Sequence, residues 1–152
     1  MTVRHRSDWL VFAQFVLLAL LLLPGEPLWG APWLTVAAVA VGVVGVALAI
    51  AGIAALGRDI VPWVAPKDDA SLRTDGVFRF TRNPVYLGIL VGSLGWVAWR
   101  GRVELLLVWA LLAAVLVTKA HVEQRFLLEA FGDDYRQYAR RTPLILWGRG
   151  IR

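Results

Sequence analysis

The chain has 152 residues, 59% of them hydrophobic and 18% charged, with a formal net charge of +5. Soluble domains carry roughly 45–50% apolar and about 25% charged residues, so this balance argues against a disordered chain and against a soluble nucleic-acid binder. The length allows one domain, and the lack of cysteine removes disulfides, thiolate metal sites and a cysteine nucleophile together.

Charged residues are absent from Trp9 to Gly25, from Pro27 to Gly57, from Asn83 to Trp99 and from Leu105 to Thr118. A bilayer core of about 30 Å needs on the order of 20 apolar residues as helix, with 17 near the lower limit. The expected architecture is an all-α integral membrane protein, a single membrane domain over residues 1–152 with about four transmembrane helices at 9–23, 33–56, 84–99 and 103–121.

The first stretch, preceded by Arg4 and Arg6, has the layout of a signal peptide. Its apolar core is too long for one, however, and Pro24-Gly25-Glu26-Pro27 reads as a turn. The second stretch is rich in Ala, Val and Gly, and Gly42, Gly45, Ala49 and Gly52 are spaced to let backbones pack closely. Connections near Pro24–Pro32 and Arg100–Arg102 are tight, so the helices are expected to pair as two antiparallel hairpins. Trp9, Trp29, Trp33, Trp96 and Trp99 fall near span ends, as an interfacial aromatic belt requires.

Of the 16 basic residues, 14 lie before the first span, between the second and third, or at and beyond the end of the fourth; only Arg100 and Arg102 lie elsewhere. Positive-inside logic therefore places both termini and the middle loop in the cytoplasm. Two polar segments, the loop 57–83 and the tail 122–152, should meet at the cytoplasmic mouth of the bundle. In the tail, Val122, Phe126, Leu127 and Ala130 form a helical stripe. Gly132 reads as a helix stop, and Asp133 as the cap of a second short amphipathic helix carrying Tyr135 and Tyr138. Arg136, Arg140 and Arg141 read as facing lipid phosphates or solvent.

Two motifs carry the chemistry. In Asp75-Gly-Val-Phe-Arg-Phe-Thr-Arg-Asn-Pro-Val-Tyr-Leu-Gly88, Asn83 followed by Pro84 is a strong helix start. A helix N-terminus carries partial positive charge and free N–H donors, which suits a carboxylate or phosphate, and Arg79 and Arg82 add full charges beside it. An ordinary capped span with arginines reaching to lipid headgroups would look the same. In the second motif, Lys119 and Glu123 lie four apart and share a helix face where the fourth span ends. Ionisable residues at that depth are costly and point to function. His5 and His121 are the only histidines, too few for a His-rich metal centre; no metal site is expected.

Gly76-x-Phe78-Arg79-x-x-Arg82-Asn83-Pro84-x-Tyr86-x-Gly88, followed by Glu123-x-x-x-Leu127-x-x-x-Phe131-Gly132-x-x-Tyr135-x-x-Tyr138, resembles the isoprenylcysteine carboxyl methyltransferase family, whose relatives include bacterial phospholipid methyltransferases. The resemblance covers about residues 57–143. It implies a membrane enzyme that uses S-adenosyl-L-methionine, held by Ala70, Ser71, Leu72 and Arg73, by Phe78, by Asn83, Pro84, Val85 and Tyr86, and by Glu123. It also implies that Lys119 contacts the methyl acceptor, which makes Glu123 and Lys119 the catalytic candidates. The expected partners are membrane lipids and a lipophilic acceptor, an isoprenoid carboxylate or a phospholipid-like molecule, with no nucleic acid.

The chain departs from that family's pattern at three positions. Asn83 stands where many members have His, Gln124 where a second Glu is common, and Lys119 where Arg is usual. The last exchange replaces a bidentate fork by a point charge. An Arg-heavy, Lys-poor composition points to a GC-rich bacterial source, and so to the inner membrane. Two other readings stand beside this one: an NADPH-dependent reductase of the related sterol-reductase type, and a non-enzymatic membrane interaction protein.

Overall fold

The computed structural model describes residues 8–57 and 71–146. Four helices account for most of them: α1 (Asp8–Leu20), α2 (Pro32–Leu56), α3 (Pro84–Arg100) and α4 (Glu104–Arg141), with a short 3₁₀ turn at Gly76–Arg79 ahead of α3. Two of the helices, α2 and α4, are long and apolar enough to cross a membrane. The 13 residues of α1 fall short of the expected span, although Leu21, Leu22 and Leu23 continue it as a tightened turn, donating to Leu17, Ala19 and Leu20 carbonyls. At 17 residues, α3 sits at the lower limit for crossing.

Each boundary has a local cause. Pro32 and Pro84 occupy first-turn positions, where a missing N–H costs nothing. α3 ends at Gly101, whose left-handed backbone (φ 65°) turns the chain directly into α4. A side chain there would collide with the Trp29 carbonyl, 2.4 Å from the position of a Cβ.

The expected hairpin pairing of α1 with α2 does not occur. α2 packs along α3, α3 also touches α4, and α1 lies against α4, so the neighbour order is α2, α3, α4, α1. The reason is the small-residue face of α2. A Cβ on Gly45 would come within 2.1 Å of the Gly92 nitrogen, one on Gly88 within 2.4 Å of the Ala49 nitrogen, and one on Gly95 within 2.5 Å of the Gly42 nitrogen. The two backbones touch along this seam, as the spacing of Gly42, Gly45 and Ala49 predicts, but the partner is α3. The rest of α2, including Val36, Val43 and Ile50, is exposed.

A second correction concerns the tail. No new helix begins near residue 122, because nothing between Leu105 and Phe131 breaks the fourth helix. At Gly132 (φ 52°, ψ −120°) the chain leaves helical geometry, so the helix stops there as expected, and a second short helical segment carrying Tyr135 and Tyr138 runs from the kink to Arg141. Asp133 accepts a hydrogen bond from Arg136 at 2.8 Å, and Arg136, Arg140 and Arg141 are exposed. At the α1–α2 and α3–α4 turns, the Trp96 indole donates to the Leu21 carbonyl (2.8 Å) and the Trp29 indole to that of Ala98 (3.0 Å). Arg102 donates to the Leu23 carbonyl (2.7 Å) and pairs with Glu104.

Candidate active site

The polar centre lies where α1, α3 and α4 converge. Lys119 and Glu123 sit one turn apart on α4, and both reach the side of Tyr86, in the first turn of α3. The Tyr86 hydroxyl donates to Glu123 Oε1, and Lys119 Nζ lies 5.1 Å from the centre of the Tyr86 ring, within cation–π range. Gln14 of α1 approaches from the other side, its Oε1 accepting from Lys119 Nζ at 3.2 Å. Lys119 is 4% exposed and Gln14 7%; Glu123 is half-buried.

Beside it lies a second knot around Arg82, which is 5% exposed. Its Nη1 donates to Gln124 Oε1 at 2.7 Å and to the Tyr135 hydroxyl at 3.3 Å, and its guanidinium lies 5.8 Å from the Tyr135 ring centre. Gln124, where the resemblance leads one to expect a glutamate, is buried and accepts from Arg82.

The stretch ahead of α3 is fastened to the segment after α4. Arg82 N donates to the Pro143 carbonyl at 3.0 Å. Asn83 Nδ2 donates to the Leu144 carbonyl at 2.9 Å, and Thr81 Oγ1 to the same carbonyl at 3.4 Å. The Tyr138 hydroxyl donates to the Phe78 carbonyl at 2.6 Å. Asn83, expected to cap the helix, makes no side-chain cap bond; its Nδ2 ties the side chain to the segment after α4. The Asn83 N–H instead donates to Thr81 Oγ1 at 3.2 Å.

Phe78 packs with Tyr135, Tyr138 and Ala139, and Leu72 packs against that cluster. Burial pushes the phenol of Tyr138 well above its ordinary range, with the neighbouring Tyr135 adding to the effect. Burial raises Tyr135 too, while the adjacent Arg82 opposes that rise. Both stay neutral at physiological pH, Tyr138 donating to Phe78 and Tyr135 accepting from Arg82.

The implied site residues therefore divide. Tyr86, Lys119 and Glu123 share the polar centre, Phe78 and Leu72 lie in the aromatic cluster, and Ser71 and Arg73 are exposed. Pro84 is buried at the helix start, and Val85 faces α2, its Cγ2 lying 2.9 Å from where a Gly52 Cβ would be. Ala70 lies outside the described residues. Gln14 escapes a motif search, although its signal is simple: it is the only amide or hydroxyl side chain between Trp9 and Leu23.

Residues 33–134 match the family model described as phospholipid methyltransferase, a stretch that contains α3, all of α2 but its first residue, and most of α4. The chain belongs to the phospholipid methyltransferase family. Its relatives within and around the phospholipid methyltransferases are varied. The cobalt-zinc-cadmium resistance protein CzcN of Cupriavidus metallidurans is 32% identical over 142 residues, 92% of this chain and 62% of that protein. Methanethiol S-methyltransferase 1 of Bradyrhizobium diazoefficiens is 32% identical over 80 residues, 52% of this chain and 27% of that protein. The protein-S-isoprenylcysteine O-methyltransferase of Schizosaccharomyces pombe is 33% identical over 76 residues, 49% of this chain and 32% of that protein.

The chain thus spans less than two thirds of the length of each of these three relatives. No solved structure matches it. The phospholipid methyltransferase match includes Arg82, Tyr86, Lys119 and Glu123 but not Gln14. Among the described residues, no cluster of three or more His, Asp or Glu side chains could hold a metal ion.

Proposed function

We propose that the protein is an S-adenosyl-L-methionine-dependent methyltransferase that acts on a lipophilic acceptor at the cytoplasmic face of the bacterial inner membrane. In this reading the four helices cross the bilayer, with both termini and the middle loop on the cytoplasmic side. The observation that carries it is the convergence of Tyr86, Glu123 and Lys119 from the two family motifs onto one polar centre.

The donor set fits a sulfonium cofactor that also bears a carboxylate, an ammonium and a flat purine. Glu123 supplies negative charge, Tyr86 and the Phe78–Tyr135 cluster supply aromatic faces, and Arg82 beside the start of α3 supplies positive charge. When bound, the cofactor supplies an electrophilic methyl: the acceptor's lone pair forms the new bond to carbon while the carbon–sulfur bond breaks, its electron pair going to sulfur. The protein's part is to position and to set charge. The Tyr86 hydroxyl fixes the orientation of the Glu123 carboxylate. That carboxylate faces developing or existing positive charge, and it takes the proton from an acceptor that must lose one. Lys119, one turn away, meets the acceptor's polar head.

The test is to incubate the purified full-length chain with radiolabelled S-adenosyl-L-methionine and a total bacterial lipid extract, then identify the labelled product. A labelled lipophilic ester, thioether or amine supports the reading. Absence of both labelled product and S-adenosylhomocysteine binding sinks it.

A further inference from the structure

We infer that Gln14 of α1 is a positioning residue for the acceptor side of this site, acting through Lys119; the inference rests on the methyltransferase reading. A lysine ammonium sits on a flexible four-carbon stem and by itself marks no fixed point. Here neighbours on two other helices help to define its place. The Gln14 oxygen lies 3.2 Å from Nζ on one side, and the Tyr86 ring lies beneath at 5.1 Å. Tyr86 in turn holds Glu123, so Gln14 is joined through Lys119 and Tyr86 to the carboxylate.

Gln14 does not need to be an amide for α1 to form. The helix around it is uniformly apolar, and a buried amide in such a helix is costly unless its partner repays it. Its partner lies 105 residues away in sequence and is itself buried. A neutral acceptor also differs in kind from a carboxylate at the same place. An amide oxygen orients the ammonium while leaving its charge to act on an anionic acceptor head, whereas a glutamate at 14 would compete with that head. Gln14 lies outside the stretch matched by the family model.

The chain contains two lysines, Lys67 and Lys119, which makes the test clean. In a Lys67→Arg background of the full chain, Gln14→Met and Gln14→Glu are compared with Gln14 in three measurements. These are acetylation of Lys119 by acetic anhydride, mapped by peptide mass spectrometry; affinity for S-adenosylhomocysteine; and methylation kinetics with N-acetyl-S-farnesylcysteine and 1-dodecanethiol as acceptor probes. Gln14→Met should acetylate Lys119 at least five-fold faster and raise the acceptor KM about tenfold. Its kcat should stay within about threefold and its S-adenosylhomocysteine affinity within twofold. Gln14→Glu should slow acetylation and raise the acceptor KM.

An unchanged acetylation rate or an unchanged acceptor KM for Gln14→Met overturns the inference. So does a fall in S-adenosylhomocysteine affinity equal to the rise in KM, which would assign Gln14 to holding the bundle together. If the Gln14 protein neither binds S-adenosylhomocysteine nor methylates a probe, it is the methyltransferase reading that falls. The acetylation comparison then still decides whether Gln14 sets the lysine.

Discussion

The face of α3 that meets α2 is lined by glycines, while the face that meets α4 carries Tyr86 and Leu90. On the first, contact is made by backbone against backbone, and the energy is close packing without hydrogen bonds between side chains. On the second, side chains of three helices reach one another through an amide, an ammonium, a phenol and a carboxylate. The first face has no room for a side chain at Gly88 or Gly95, whereas the second gathers polar groups that packing of apolar helices does not require. A single helix can thus be a rigid mount on one side and a chemical surface on the other.

The sharpest way to break that division is at the mount. Gly45→Val forces a side chain into the Gly92 backbone and should destabilise the protein by about 3 kcal/mol, the upper end for overpacking, seen as a lowered Tm and loss of monodisperse protein in detergent. Gly42→Ala, three residues earlier, meets nothing within 4 Å. It should be neutral or stabilising by about 0.5 kcal/mol, because alanine loses less entropy in a helix. If both variants behave alike, the seam is not set by close approach.

On the chemical face the order reverses, with small effects on stability and large ones on activity. Glu123→Gln should lower kcat/KM about a hundredfold, equivalent to about 2.7 kcal/mol, with Tm little changed. Tyr86→Phe removes only the hydroxyl that orients the carboxylate and should cost about tenfold. Combined with Glu123→Gln it should add little, since the two act as a unit. Least of all, Asn83→Ala removes one tether to Leu144 and should cost about 1 kcal/mol, read as a small fall in Tm.

Much of this was legible in the chain itself. Stretches free of charge mark α2, α3 and α4, the Asn83-Pro84 pair marks where α3 starts, and Gly132 marks the break in α4. The four-residue spacing of Lys119 and Glu123 puts both on one helix face, and they do share the Tyr86 side. What periodicity cannot carry is which helix lies beside which. The pairing of α2 with α3 depends on how their glycines fit one another, a property of two surfaces together. Gln14 looks like an isolated amide until Lys119 is brought to it. Asn83 is equally local in appearance, and it takes the return of the chain at Leu144 to give its Nδ2 a partner.

The unbroken run of α4 from Glu104 to Phe131 has a mechanical consequence. Helix geometry advances 1.5 Å and about 100° per residue, so the carboxylate of Glu123 is held at a set separation and angular phase from the kink at Gly132, which in turn sets where the aromatic pair beyond it begins. One residue inserted after Phe126 would leave every side chain present yet turn Tyr135 and Tyr138 by about 100° relative to Glu123. The chain would keep its composition and lose the alignment between its charged centre and its aromatic wall, as a key loses its lock when one notch is shifted along the blade.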